Sequence, residues 1–214
     1  MHRLETKSLA YSVLVRRLIA YLVDIVLLFA AIVVTQFGLE AFTGGLPMRL
    51  LTTGPRIEGW VWLSVSLPTY LYFALSESSA HQATPGKRLL GLHVTDLTGK
   101  RIGFGRAILR TIVKLIPWEV THLSLFLPTP IFMDGQGGFF PGLITANVLI
   151  VVYLAVVVMT AGKRGIHDLV ASTLVLRAPP FVTKRSYQEA RSGAGMSGTH
   201  HTQHFYLPGQ RKGT

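Results

Sequence analysis

The chain has 214 residues, enough for one ordinary domain; 49% are hydrophobic, only 14% are charged, and the formal net charge is +11. A soluble domain carries roughly 25% charged residues to wet its surface, so this composition, with a mean hydropathy of +0.41, excludes an average soluble fold and leaves lipid to cover much of the chain. The absence of cysteine excludes disulfides, thiolate metal sites and cysteine nucleophiles.

The excess of basic residues does not point to nucleic acid. That reading needs a basic face on a folded soluble module, whereas here the lysines and arginines sit between apolar runs, as the flanking charges of membrane helices do. The first apolar run extends from about Leu18 to Leu39 behind a basic N-terminal segment. It is too long for a signal-peptide core, and no small-residue cleavage pattern follows it, so a retained membrane helix is expected. A second run covers about Gly59 to Leu75 and a fourth about Pro141 to Ala161. Each is close to the ~20 residues that cross a ~30 Å hydrocarbon core.

The third run, about Arg106 to Leu127, is broken by Arg110, Lys114, Pro117, Glu119 and His122. Charge asymmetry argues for counting it. Arg3, Lys7, Arg16 and Arg17 precede the first run; Lys87, Arg88, Lys100, Arg101 and Arg106 follow the second; Lys163, Arg164, Arg177, Lys184 and Arg185 follow the fourth. Three basic segments on the cytoplasmic side require an even number of crossings between each and the next. The predicted architecture is therefore an all-α, four-helix transmembrane bundle with both termini inside. It carries a small cytoplasmic β-hairpin within residues 84–105 and a strand at Ala171–Leu176 beside it. Residues 1–15 form a cytoplasmic N-terminus, 16–177 the membrane domain, and 178–214 a Ser-, Gly-, His- and Arg-rich tail whose composition predicts disorder. The bacterial inner membrane is the expected location. Thr84-Pro85-Gly86 reads as a helix start, with Thr84 capping and Pro85 at the first helical position.

Charges inside a bilayer cost at least ~2.5–3.5 kcal/mol each, so each needs a reason. Asp24 lies about 9 Å below the cytoplasmic interface at ~1.5 Å per residue, and Lys114 about 12 Å into the third helix. The expectation is that Asp24 pairs with Lys114 or Arg110, with snorkelling of those two cations to the interface as the alternative. Asp168, at the end of Lys163-Arg-Gly-Ile-His-Asp168, is expected to receive Arg17 or Arg16, and His167 sits with it at the cytoplasmic interface. Pro117 frees the carbonyl of Val113 and Pro68 that of Ser64. Glu119, His122 and Asn147 fall at similar depth. Together with the freed carbonyls they form either a hydrogen-bonded clasp between helices or a proton or cation path. Both readings stay open on the sequence.

Other chemistries find no support. No nucleophile pattern accompanies His167 and Asp168, Thr84-Pro-Gly-Lys87 lacks the glycine spacing of a phosphate loop, and the tail histidines His200, His201 and His204 read as solvated. No catalytic residue, metal or cofactor is expected. The expected partners are the bilayer itself, anionic lipid headgroups at the basic loop, and a second copy of the chain. The functional expectation is a transporter or cation/proton exchanger using the buried charges. A non-transporting scaffold or assembly factor that presents the basic loop to a protein or anionic lipid is the alternative.

Three segments, Arg17-Leu-Ile-Ala-Tyr-Leu-Val-Asp24, Thr84-Pro-Gly-Lys-Arg-Leu-Leu-Gly-Leu-His-Val94 and Gly165-Ile-His-Asp-Leu-Val-Ala-Ser-Thr173, resemble in order and spacing the RDD family of bacterial membrane proteins. Arg110 and Pro117-Trp-Glu-Val-Thr-His122 are similar to a subset of that family. The resemblance implies Arg17, Asp24 and Asp168 as the arginine and two aspartates for which the family is named, with Ser172 standing where glycine is common. It also implies a link to sodium–proton antiport, the activity associated with some members.

Overall fold

The structure, a computed structural model, describes residues 2–133, 140–160 and 164–177, with side chains described from residue 13 onward. The tail from 178 and its predicted disorder lie outside the described residues, as do Asp134 and Lys163.

Each of the four apolar stretches is helical. The first is a single helix, α1 (His2–Thr43, 42 residues), which overruns its apolar stretch at both ends. A short α2 (Leu46–Leu50) follows. The second stretch is one helical run from Gly54 to Ser78, made of α3 (Gly54–Val61), a π-helical turn (Trp62–Ser66) and α4 (Leu67–Ser78). The wider hydrogen-bond spacing of the π turn falls where the ladder loses the donor of Pro68. After α5 (Pro85–Leu89) and β1 (Leu92–Asp96), the third stretch forms α6 (Phe104–Phe126) and the fourth α7 (Pro141–Met159). The described chain ends with α8 (Ile166–Val170) and β2 (Thr173–Arg177).

Two of these helices, Val13–Thr43 within α1 and Pro141–Met159, are long and apolar enough to cross a membrane. They are not the buried core helices of a soluble protein. Leu22, Phe29, Val34 and Phe37 on α1, and Val148, Val151 and Met159 on α7, are all more than half exposed. An apolar surface of that extent marks contact with lipid or with another protein.

The run Gly54–Ser78 and α6 pack antiparallel at the centre, with α1 and α7 to the sides. Gly54 sets the closest approach. A Cβ there would lie 2.1 Å from the carbonyl oxygen of Phe126 and 2.6 Å from that of Pro128, so only glycine lets α3 abut the end of α6. Pro117 inside α6 frees the Val113 carbonyl, as its sequence position implies, and Tyr153 of α7 donates to it at 2.6 Å. That bond fastens α7 to α6 where the helix has lost an internal one.

The small sheet departs from the predicted hairpin. β1 pairs antiparallel with β2, with Val94 opposite Val175. The return arm after Thr98-Gly99 contributes one bridge, Thr95 to Arg101. Alternation decides the choice: Leu92 and Val94 bury one face of β1, and β2 brings Val175 and Thr173 to the same side, while the return arm is Lys100-Arg101 followed by a single buried apolar residue, Ile102. The strand at the C-terminal end is thus found where expected, and it takes the partner that the hairpin's second arm was expected to be. Ala20, Ala74 and Ala107, one from each of three helices, pack with Leu92, Val94, Ile102 and Val175 in the buried cluster that joins sheet to bundle. Alanine at these sites lets the helix backbones approach closely.

Candidate functional site: a buried ionic cluster and a polar seam

Asp24 is completely buried, as expected, but its partners are not cations. Its Oδ1 accepts from the Tyr72 hydroxyl at 2.7 Å and the Gly86 backbone N–H at 2.8 Å, and its Oδ2 from the Thr84 hydroxyl at 2.5 Å. The expected pairing with Lys114 or Arg110 is therefore corrected. The physical reason is α5, capped by Thr84 with Pro85 at its first position, whose N-terminal turn is pushed against α1. Its free N–H groups and partial positive charge supply what a cation would have supplied. Gly86 permits this, because a Cβ there would lie 2.2 Å from the Ala20 carbonyl oxygen and 2.9 Å from the Asp24 carboxyl carbon.

The cations converge instead on Glu77, at the end of α4, and Asp168, on α8. Arg110, 1% exposed, joins the two: its Nε donates to Asp168 Oδ1 at 2.8 Å and its Nη1 to Glu77 Oε2. Lys87 from α5 donates to Glu77 Oε1, and Lys114 Nζ stands 3.7 Å from that same oxygen. Neither Arg110 nor Lys114 snorkels; their side chains are 1% and 10% exposed. Arg17 donates to Asp168 Oδ2 at 2.7 Å, the pairing its sequence position implies, and Arg16 instead reaches the Leu90 carbonyl at 3.2 Å. Asp168 also accepts from the Gly165 N–H at 2.8 Å and the Thr173 hydroxyl at 3.0 Å. Burial favours the neutral acid, but Arg110, Arg17 and the Gly165 N–H outweigh it and hold the Asp168 carboxyl well below the usual range. Thus α1, α4, α5, α6, α8 and β2 are tied through two carboxylates. Glu77 was missed in the sequence because it follows the second apolar run by two residues, in Ser76-Glu77-Ser78, where an acid reads as solvated.

Ser172, which stands where glycine is common, explains that preference. Its φ is 51°, in the left-handed region that glycine enters without strain.

His167 Nε2 lies 3.4 Å from Arg17 Nη2. The same nitrogen lies 3.4 Å from Asp168 Oδ2. Burial, reinforced by Arg110 and Arg17 and only partly opposed by Asp168, keeps the imidazole well below its ordinary value of 6.5. The native state therefore resists a proton that the unfolded chain accepts below that value, and stability falls as pH drops through it. The detergent-solubilised protein is expected to lose melting temperature on acidification from pH 7 to pH ~5, and His167→Gln to flatten that slope. An unchanged slope would remove His167 as its origin. Asp168, with its carboxyl depressed, contributes stability that is lost only at still lower pH.

Outward from Lys114 the character of the interior changes. Among the described residues, Lys114 Nζ, Glu119 Oε1, His122 Nδ1, Ser66 Oγ and Glu58 Oε2 are buried polar atoms without a hydrogen-bond partner. All lie along the contact between α6 and the Gly54–Ser78 run. Glu58 and Tyr70 both face Glu119, and the His122 ring rests edge-on against Trp118, centroids 4.6 Å apart. Asn147 does not join them. It is exposed on α7 and donates to its own helix at Leu143 O, 2.7 Å away, so its expected place at this level is corrected. Buried polar atoms are nearly always partnered, by protein, water or ion, and Glu119 keeps one protein neighbour, the Tyr70 hydroxyl. The apolar groove between α1 and α4 is separate, lined by Leu28, Ile32, Ser64, Pro68 and Tyr72 with a volume of about 400 Å³. No grouping of acidic and histidine side chains suited to a metal occurs among the described residues.

A model of the RDD family matches residues 11–172, the span that contains all three motif segments. No curated protein and no solved structure matches the chain.

Proposed function

Because the chain belongs to the RDD family, whose model covers most of its length, we propose that it is a multi-pass protein of the bacterial inner membrane that moves protons, or exchanges protons for a small cation, along the seam between α6 and the Gly54–Ser78 run. All four long helical runs cross the bilayer in this reading, with the ionic cluster at the cytoplasmic end and Glu58 at the outer end. The single observation that carries it is the row of unpartnered polar atoms from Lys114 to Glu58. By comparison, every carboxylate oxygen of Asp24 and Asp168 is hydrogen-bonded, although His167 Nδ1 and Arg164 Nε beside Asp168 are not. The inner cluster then acts as the closed end of the path, and a second copy of the chain would shield the broad apolar faces of α1 and α7.

Purified protein in vesicles loaded with a pH-sensitive dye should dissipate an imposed proton or alkali-cation gradient. Glu119→Gln, which keeps shape and removes the charge, should cut that flux by about a hundredfold. A wild-type rate equal to that of empty vesicles would end the transport reading. It would favour the alternative in which exposed Arg88, Lys100 and Arg101, beside exposed Leu89 and Leu97, hold anionic headgroups or a protein partner.

A further inference from the structure

We propose that Lys114 is a reversible proton-binding site inside the bundle, the group that takes up and gives up the proton at the inner end of the seam. This rests on the transport reading and adds to it the identity of the carrier.

Lys114 Nζ stands 3.2 Å from the centre of the Phe73 ring and 3.7 Å from Glu77 Oε1, and no acceptor lies within hydrogen-bond distance of it among the described residues. The charged or titratable groups acting on it are Asp24 on α1, Glu77 on α4, Lys87 on α5, Arg110 on α6 and His167 on α8, with Asp168 and Arg17 beyond Arg110, while the Tyr153 hydroxyl of α7 is occupied by the Val113 carbonyl. Among the described residues Lys87, Arg110 and Lys114 all converge on the single carboxylate of Glu77, and Arg110 is shared with Asp168, so positive charge outnumbers negative around Glu77. A buried net charge is costly, and groups in such places neutralise.

Which cation can do so follows from chemistry. The arginines cannot release a proton. Lys87 is hydrogen-bonded to Glu77, and its loss would leave that carboxylate short of a donor. Lys114 rests on the ring face of Phe73 and forms a 3.7 Å ion pair with a Glu77 oxygen that already accepts from Lys87. When it lets go, one N–H bond breaks, the electron pair stays on Nζ, and the proton leaves on a water molecule entering the seam. Glu77 then keeps Lys87 and Arg110 as its cations. Uptake reverses the step, and the ring face accommodates the returning ammonium. Lys114 also stands where the ionic cluster meets the seam, since it pairs with Glu77 and lies on α6 with Glu119 and His122.

The test is a pH titration of the wild-type chain carrying ¹³C at lysine Cε, in lipid nanodiscs. The Lys114 signal, assigned by its disappearance in Lys114→Arg, should move with pH, and at lower pH than that of Lys87. If Lys114→Arg does not accumulate, Lys114→Gln supplies the assignment. In vesicles Lys114→Arg, which keeps the charge but cannot release the proton, should retain the wild-type melting temperature and lose flux about tenfold or more. A Lys114 signal that does not move with pH, or wild-type flux in Lys114→Arg, overturns the proposal. A titrating Lys114 in a protein that moves no protons would sink the transport reading and leave the proton-binding assignment standing.

Discussion

Arg110→Met should abolish accumulation of the folded protein. Arg110 is the single side chain that bridges Glu77 and Asp168, and it is 1% exposed. Methionine fills a comparable volume, so the loss is electrostatic rather than a cavity. Removing one partner of a buried ion pair leaves an uncompensated charge and costs about 3–5 kcal/mol, and here two carboxylates lose a partner together. Native stabilities are about 5–15 kcal/mol, so most of the margin is spent. The measurement is the yield of monodisperse protein in detergent and its melting temperature. Arg110→Lys should recover only part of the loss, because an ammonium cannot place two separate N–H groups on Glu77 and Asp168 as the guanidinium fork does. Wild-type stability in Arg110→Met would show that Arg17, Lys87 and Lys114 suffice without the bridge.

Gly86→Ala should be the second most damaging change, although it adds one methyl group. The new Cβ would lie 2.2 Å from a backbone carbonyl, that of Ala20 on α1, where no flexible side chain can give way. The α5 turn must retreat, and the Gly86 N–H and Thr84 hydroxyl bonds to Asp24 lengthen with it. Overpacking together with weakened bonds to a buried carboxylate gives a loss of about 3 kcal/mol. Gly105→Ala, whose Cβ meets nothing within 4 Å, is the matched control and should leave the melting temperature unchanged. Equal behaviour of the two variants would mean that α5 does not dock on α1 through Gly86.

Much of this protein was legible in the chain itself, for reasons that are local. Apolar runs of bilayer length, Thr84 and Pro85 at a helix start, Pro117 freeing a carbonyl, and the family motifs all depend on residues close in sequence. The inward burial of Asp24 was legible too, because a carboxylate in an apolar run must turn away from lipid. What it turns toward was not. A carboxylate can be satisfied by a cation, by hydroxyls or by the N–H groups of a helix end, and sequence cannot tell these apart, since the choice depends on which element arrives beside it. The docking of α5 on α1 made the Thr84 and Gly86 donors available, and that released Arg110 and Lys114 to serve Glu77 and Asp168 instead.

The same argument covers Glu77, Asn147 and the sheet. Glu77 looks solvated because its own neighbours are serines; burial comes from α5 and α6, which follow later in the chain. Asn147 has the right depth but the wrong azimuth, since helix rotation is fixed by packing and not by position along the axis. β1 has an alternating pattern that specifies a strand without naming its partner, and the partner comes from some eighty residues further along. The sequence by itself determined where the apolar helices lie and that Asp24 turns inward, because hydrophobic burial and propensity act over one or two turns. Only the tertiary structure decided which charge answers which, because a short-range contact between elements distant in the chain is a property of their packing.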